Sequence, residues 1–409
     1  MRGSCVMQQR GMFQKSFPYS GGPEMIKHGA FPHTFYEFFA GSGMVRAGLG
    51  DSWSCLFAND FDDKKAAAYQ GNWGYGELLV GDVGGVNSRM LPGQANLAWA
   101  SFPCQDLSLA GSGAGLSGKR SGTFWPFWNL VCELRREARQ PETIVLENVC
   151  GALTSHNGAD FRSLINALRG EGYRAGALVI DAALFVPQSR PRLFIVGVRK
   201  DIEIDPCLVT ELPQKPFHTA GVLAAYRGLS RAERASWIWW NLPVPPFRTL
   251  NFSSVIEDDI PWHTTEQTKA LLALMSPLHL AKVASAKREK KMVVGSIYKR
   301  TRPDEHGNRA QRAEVRFDDI AGCLRTPGGG SSRQTIIVVQ GSKVRTRLLS
   351  PREAARLMGL PDEYMLPKNY NDAYRLMGDG VVVPVVRHLS RYLLESLVRT
   401  KESSIEHAA

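Results

Sequence analysis

The sequence predicts an α/β protein: a doubly wound, mostly parallel sheet followed by a second, irregular domain. Three observations carry this. Short apolar runs alternate with amphipathic segments from Thr34 to Arg199, which is the pattern of strands joined by crossover helices. That alternation stops near Asp201. The chain has 409 residues, more than one simple core usually holds.

The elements follow in order. Residues 1–33, with SFPYSGGPE at 16–24, read as an N-terminal extension. TFYEFFA (34–40) is an apolar strand, and MVRAGLGD (44–51) opens a helix. SCLFAND (54–60) is a second strand, KKAAAYQGNW (64–73) a helix, and LLVGDV (78–83) holds a third strand. NLAWASF (96–102) and TIVLENV (143–149) are short, mostly apolar strands flanking an amphipathic helix at 124–139. A helix over 159–173 and a strand over 192–199 complete the first domain, 34–201. Residues 202–374 form the second domain, with Pro-rich loops, the Trp cluster WIWW (237–240) and strand-like runs such as TIIVV (335–339). Within it, Ser350 and Glu353 form a capping box at the start of a helix over 350–361. A final helix, within about 375–400, returns to the first domain, and 401–409 is a tail.

Composition narrows the class. Hydrophobic residues make up 44% and charged residues 22%, as in ordinary globular proteins. No apolar stretch reaches the ~20 residues of a membrane span. The start, MRGSCVMQQRGMFQ, has no apolar core of a secretory signal, so a cytoplasmic chain is expected. Seven cysteines without a CxxC pair argue against structural zinc, so no metal is expected. Six of them read as packing residues. The net charge of +11 is concentrated. Residues 282–352 hold 17 Lys plus Arg against 6 Asp plus Glu, and the rest of the chain sums to zero. A neutral body with one basic segment predicts a polyanion partner, most often nucleic acid.

The candidate chemistry sits at strand ends, where open α/β sheets bind ligands. FFAGSG ends the first strand, and Gly41 and Gly43 let a ligand approach the backbone at a helix start. Asp60 and Asp82 end the next two strands, and carboxylates there can grip an adenosyl ligand. Cys104, in ASFPCQDLSLAG, follows an apolar strand and opens a Gly/Ser-rich loop. That position suits a nucleophile better than a packing residue. Glu147 ends an all-apolar strand, where burial would raise its pKa and let it donate a proton near neutrality. Arg190 and Arg192 precede a strand as two guanidinium forks able to hold a carboxylate, a phosphate or a base carbonyl.

Together FFAGSG, AND, GDV, FPCQ, ENV, QSRPR, PREAARLMG and MGDGV, in this order, resemble the motifs of the DNA (cytosine-5) methyltransferases. The resemblance covers roughly 34–200 and 345–398. It implies a Rossmann-like S-adenosylmethionine domain, a smaller β-containing target-recognition domain, and double-stranded DNA held between them. S-adenosylhomocysteine would be the product. Cys104 would attack C6 of a flipped cytosine, Glu147 would hold or protonate N3, Arg192 would contact the base carbonyl, and Arg190 would support the site. Phe39, Gly41, Gly43, Asp60, Phe61, Asp82, Val83, Asp379 and Val381 would line the cofactor pocket, and Pro103 would border both ligands. Gln105, Arg325, Thr326, Arg333 and Gln334 would contact DNA. The closing motif departs from the family's usual Gly-Asn-Ser or Gly-Asn-Ala, reading Gly378-Asp379-Gly380. A restriction endonuclease is a conceivable companion, and a monomer is expected. The competing readings are an RNA cytosine-5 methyltransferase, which the long basic segment disfavours, a catalytically weak DNA-binding relative, and an unrelated Rossmann methyltransferase in which Cys104 is expendable.

Overall fold

A computed structural model describes residues 33–103, 123–303, 308–326 and 333–398. Seven strands form the larger sheet. They are β1 (His33–Phe38), β2 (Trp53–Asp60), β3 (Leu78–Val80), β4 (Leu97–Ala100), β5 (Thr143–Val149), β6 (Tyr173–Asp181) and β7 (Pro191–Arg199). Their spatial order is β3-β2-β1-β4-β5-β7-β6. The first five run parallel, and β7 is antiparallel to both β5 and β6.

Both faces of this sheet are covered, which explains why β4 and β5 read as unbroken apolar runs. One face carries Tyr36, Phe38, Ala98, Ile144 and Leu146, packed beneath α3 (after α1 and α2 below; Phe124–Arg136) and α4 (Ala159–Gly170). The other carries Phe35, Leu97, Trp99 and Val145 beneath α1 (Met44–Leu49), α2 (Asp63–Trp73) and the C-terminal helix. In α4 the buried residues Phe161, Leu164, Ile165 and Leu168 recur at helical spacing and face one way. Each such buried side chain stabilises by about 1.5–3 kcal/mol.

Strand β6 was not expected from the sequence. Its Ala175-Gly176-Ala177 core lacks the large β-branched residues that signal a strand. The reason is tertiary. Ile238 donates its amide to the Ala175 carbonyl at 2.9 Å, and a Cβ on Gly176 would lie 2.0 Å from the Ile238 carbonyl. The Trp cluster therefore rests on the large sheet: the Trp240 indole donates to the Val196 carbonyl of β7 at 3.1 Å. Residues beyond 202 thus also pack on the large sheet, where the Val179 amide donates to the Phe217 carbonyl at 2.9 Å. Helices α5 (Ala220–Arg227) and α6 (Arg231–Arg234) lie in this stretch.

The second sheet is antiparallel, in the order β11-β10-β8-β9, from β8 (Val293–Pro303), β9 (Arg309–Arg316), β10 (Thr335–Gln340) and β11 (Lys343–Leu348). One face, with Ile297, Ala313, Val315, Ile337 and Val339, packs on α7 (Thr265–Ala273) and α8 (Pro277–Arg288). On the other, Val294, Ile336 and Val338 join the large core. Then come α9 (Pro351–Leu357), α10 (Tyr370–Asp379) and α11 (Val383–Leu389), which continues into a π-helical turn, Ser390–Leu394. The Ser350–Glu353 capping box is formed at α9. Among the described residues no helix is long and apolar enough to cross a membrane.

Candidate active site

The first half of the site is built at the ends of β1, β2 and β3. Strand β1 stops at Phe38 because Phe39 turns to φ +58°. A left-handed aromatic residue is strained by roughly 1–3 kcal/mol and persists where function or packing requires it. Gly41 follows at φ +58°, and a Cβ there would meet nothing within 4 Å. The backbone is thus open to a ligand. Gly43 serves a different purpose: a Cβ there would lie 2.3 Å from the Trp73 indole, so its bareness lets α2 pack against the turn. Asp60 is buried rather than free. Its Oδ2 accepts from the Gly41 amide at 2.8 Å and its Oδ1 from the Asp62 amide at 2.9 Å. It therefore holds the glycine turn in shape. Phe61 beside it is 64% exposed, a ring face available for stacking, and the Asp82 carboxylate is exposed at the next strand end. Val83 and Val381 are buried in the core, so they support the pocket from behind. Sequence reasoning missed Trp125, an exposed indole at the start of α3, whose neighbour Pro126 touches the 83–85 turn. Its signal was a large aromatic opening an otherwise amphipathic helix.

The second half sits one strand further along. Ala100 of β4 pairs with Leu146 of β5, so the residues after β4 and Glu147 lie side by side. The Asn148 amide clamps the two strand ends by donating to the Phe102 carbonyl at 3.1 Å. Pro103 follows, half-buried. Cys104 and Gln105 lie outside the described residues. Glu147 is buried, with Oε1 3.3 Å from Nε of Arg192. Burial raises the Glu147 pKa above the ordinary carboxyl value, against the opposing pull of Arg192, Arg190 and a hydrogen bond from Ser101. A buried acid beside a fixed guanidinium can both donate a proton and orient a polar ring.

Arg190 does not offer a second fork. It is 1% exposed and its guanidinium donates to the carbonyls of Leu324, Gly378 and Gly380 at 2.9, 2.7 and 2.7 Å. It is instead committed to three backbone carbonyls that would otherwise be buried unpaired. Nor are all the remaining cysteines packing residues: Cys207 is exposed, and Cys132, Cys150 and Cys323 are half-buried. Among the described residues no cluster of His, Cys, Asp or Glu could hold a metal.

The sequence profile of C-5 cytosine-specific DNA methylases matches residues 33–395. The chain belongs to the C-5 cytosine-specific DNA methylase family. It is 25% identical over 382 residues to type II methyltransferase M.HpaII of Haemophilus parainfluenzae, covering 89% of this chain and 90% of that one. It is 28% identical over 353 residues to M.NgoBI of Neisseria gonorrhoeae, covering 86% and 89%. Among solved structures, Dnmt2 methyltransferase of S. pombe superposes with a TM-score of 0.54 at 16% identity, over 89% of this chain and 99% of that one. This last likeness is one of fold, the Rossmann-like methyltransferase architecture.

The methylase therefore is a DNA cytosine-5 methyltransferase whose methyl donor is S-adenosylmethionine. Its residues fit that donor: an open glycine turn, an exposed aromatic face at Phe61 and a carboxylate at Asp82 converge at three strand ends.

The methylase's expected DNA-contacting residues divide. Arg325 is exposed. Arg333 lies 5.5 Å over the Tyr370 ring and donates to Asn371 Oδ1 at 2.5 Å. Gln334 is buried, and its amide donates to the Ile297 and Thr335 carbonyls at 3.4 and 3.1 Å. It cannot reach a base edge while so bonded. Thr326 donates to Asp379 Oδ1, and the Asp379 carboxylate also meets Lys65 Nζ at 2.9 Å. Gln188, which sequence reasoning left without a role, is fully buried. Its carbonyl oxygen accepts from the Leu324 amide at 3.1 Å, and its NH₂ donates to the Leu357 carbonyl at 2.8 Å.

Proposed function

We propose that this methylase acts on one short site in double-stranded DNA, flips the target cytosine out of the stack, and attacks it through Cys104. The observation that carries the reading is the buried Glu147–Arg192 pair beside the end of β4. Cytosine C5 is a poor nucleophile. Addition of the Cys104 thiolate at C6 makes it enamine-like. Glu147, whose pKa burial raises, supplies a proton or hydrogen bond at N3 as charge develops there. Arg192 fixes the carboxyl and would contact the base carbonyl through its guanidinium. S-adenosylmethionine supplies the electrophilic methyl group. Loss of the C5 proton and departure of the thiol then release 5-methylcytosine. The reacting face is hidden in a duplex, and extrusion requires a few kcal/mol that contacts in the pocket offset.

The family and its named relatives favour DNA over RNA as substrate. We further propose residues 34–201 with about 375–400 as the cofactor-binding part and the second sheet as the core of the target-recognition part. A monomer, working on chromosomal DNA with or without a cognate restriction endonuclease, completes the proposal. The test is single-base sequencing of 5-methylcytosine in plasmid DNA from cells expressing the wild type or Cys104→Ala. Methylation at one short motif, absent from the variant, is the expected result. Methylation that survives in Cys104→Ala would remove the covalent mechanism.

A further inference from the structure

The departure at Gly378-Asp379-Gly380 lies where the recognition segment meets the cofactor-binding part. From the inside, Arg190 binds the carbonyls on either side of Asp379 and also that of Leu324. At the centre, a Cβ on Gly378 would lie 2.6 Å from both the Arg325 carbonyl carbon and the Thr326 nitrogen, so the two backbones touch. From the outside, the Asp379 carboxylate takes the Thr326 hydroxyl and the Lys65 ammonium.

Lys65 lies in the first turn of α2, and this turn is tied to the cofactor wall. Its amide and that of Lys64 donate to Asp62, which caps the helix. The Asp62 amide donates to Asp60, and Asp60 holds the Gly41 turn. Burial pulls the Lys65 ammonium toward neutrality, but the carboxylates of Asp379 and Asp60 outweigh it and raise its pKa. The cation thus contacts the Asp379 carboxylate on one side of the seam and is held electrostatically by Asp60 on the other. Two other ion pairs cross between α2 and α10, Lys64–Asp372 at 2.8 Å and Asp62–Arg375 at 4.0 Å. Arg375 also lies 3.9 Å from the Asp379 carboxylate on its own helix, and of these acids only Asp379, among the described residues, also bonds the recognition segment.

We propose that Asp379 and Lys65 are a positioning pair that transmits between the cofactor pocket and the target-recognition segment, along Thr326–Asp379–Lys65–Asp62/Asp60–Gly41. An amide in place of Asp379, as the family usually carries, would lack the charge that holds Lys65. The proposal rests on the methylase reading of both ends. Its physical content is a coupling free energy: occupancy of the cofactor pocket changes the opening of residues 321–326.

The experiment is hydrogen exchange on the full chain, with and without S-adenosyl-L-homocysteine as the probe. In the wild type the probe should slow exchange in the peptide covering Ala321–Arg325 by about fivefold or more, the lower end of ordinary coupling. Asp379→Asn and Lys65→Met should each reduce that effect to less than about twofold. The double variant should be no worse than either single one, because both break one link. Lys65→Arg should restore it, and Lys64→Met, which breaks only the neighbouring pair, should leave it intact. A merely structural role would alter exchange equally with and without the probe. Full transmission through Lys65→Met, or equal loss in Lys64→Met, overturns the proposal, as does an unresponsive 321–325 peptide in a wild type that binds the probe. A wild type that does not bind S-adenosyl-L-homocysteine would instead overturn the cofactor reading. Should Asp379→Asn fail to fold, the Lys65 pair of variants decides alone.

Discussion

The two sheets solve opposite problems. The larger is buried on both faces, and its polar residues are sealed: Glu37 and Glu147 are both buried carboxylates on adjacent parts of it. The smaller is antiparallel and carries its charge outward. On the face of β8 and β9 opposite the helices α7 and α8, Arg300 and Arg312 pair directly across the ladder, and Arg316 lies four residues further along β9. Like charges opposite one another weaken a sheet. Arg300 is countered by Glu314 at 3.0 Å and Arg316 by Asp318. In the first sheet, low dielectric is used to change what a carboxyl can do. In the second, cations are left in contact with water.

The largest expected effect tests the first half of that contrast. Glu147→Gln keeps the shape and the carbonyl but removes the proton. Methyl transfer measured with a tritiated donor should fall by roughly 10²- to 10⁴-fold, with circular dichroism unchanged. A loss smaller than about tenfold would mean that Glu147 only orients the base.

The next effect falls on stability. Glu37 is 0% exposed, and neither of its oxygens has a hydrogen-bond donor among the described residues. Burial, with Asp60 adding and Arg46 opposing, pushes its pKa from 4.5 up to about 8. The unfolded chain ionises first, so stability is full below about pH 4.5, falls as pH rises, and reaches its floor above about pH 8. Glu37→Gln should therefore match the wild type at pH 4.5 and exceed it at pH 9 by on the order of a few kcal/mol. Thermal melts at the two pH values measure this. A constant offset between the proteins would show that the carboxyl finds a partner in solution.

The smallest effect belongs to the exposed sheet. Arg300→Ala and Arg312→Ala should each weaken duplex binding and make the slope of log affinity against log salt shallower by about 0.9. The rate of methyl transfer at saturating DNA should stay the same. Slopes unchanged in both variants would move the DNA off this face.

Much of the first sheet was legible because its physics is local. Apolar runs of strand length, helical spacing in 124–136 and the Ser350–Glu353 cap each lie within one stretch of chain. The acid at the end of an apolar strand, Glu147, was readable for the same reason: a carboxyl there must be paired or used. What the sequence could not determine depends on contacts between distant segments. Strand β6 is made of small residues because the 237–240 segment lies on it, and nothing within 173–181 announces that neighbour. Arg190 and Arg192 are two residues apart and alike in type, yet one is spent on the carbonyls of residues 324, 378 and 380 while the other faces Glu147. Gln334 and Asp379 likewise took their partners from across the fold. The sequence by itself determined the family, the order of elements and the chemical groups at the strand ends, because these follow from periodicity and residue type. The tertiary structure alone decided which polar side chain stays available, since that depends on which buried backbone groups need a partner.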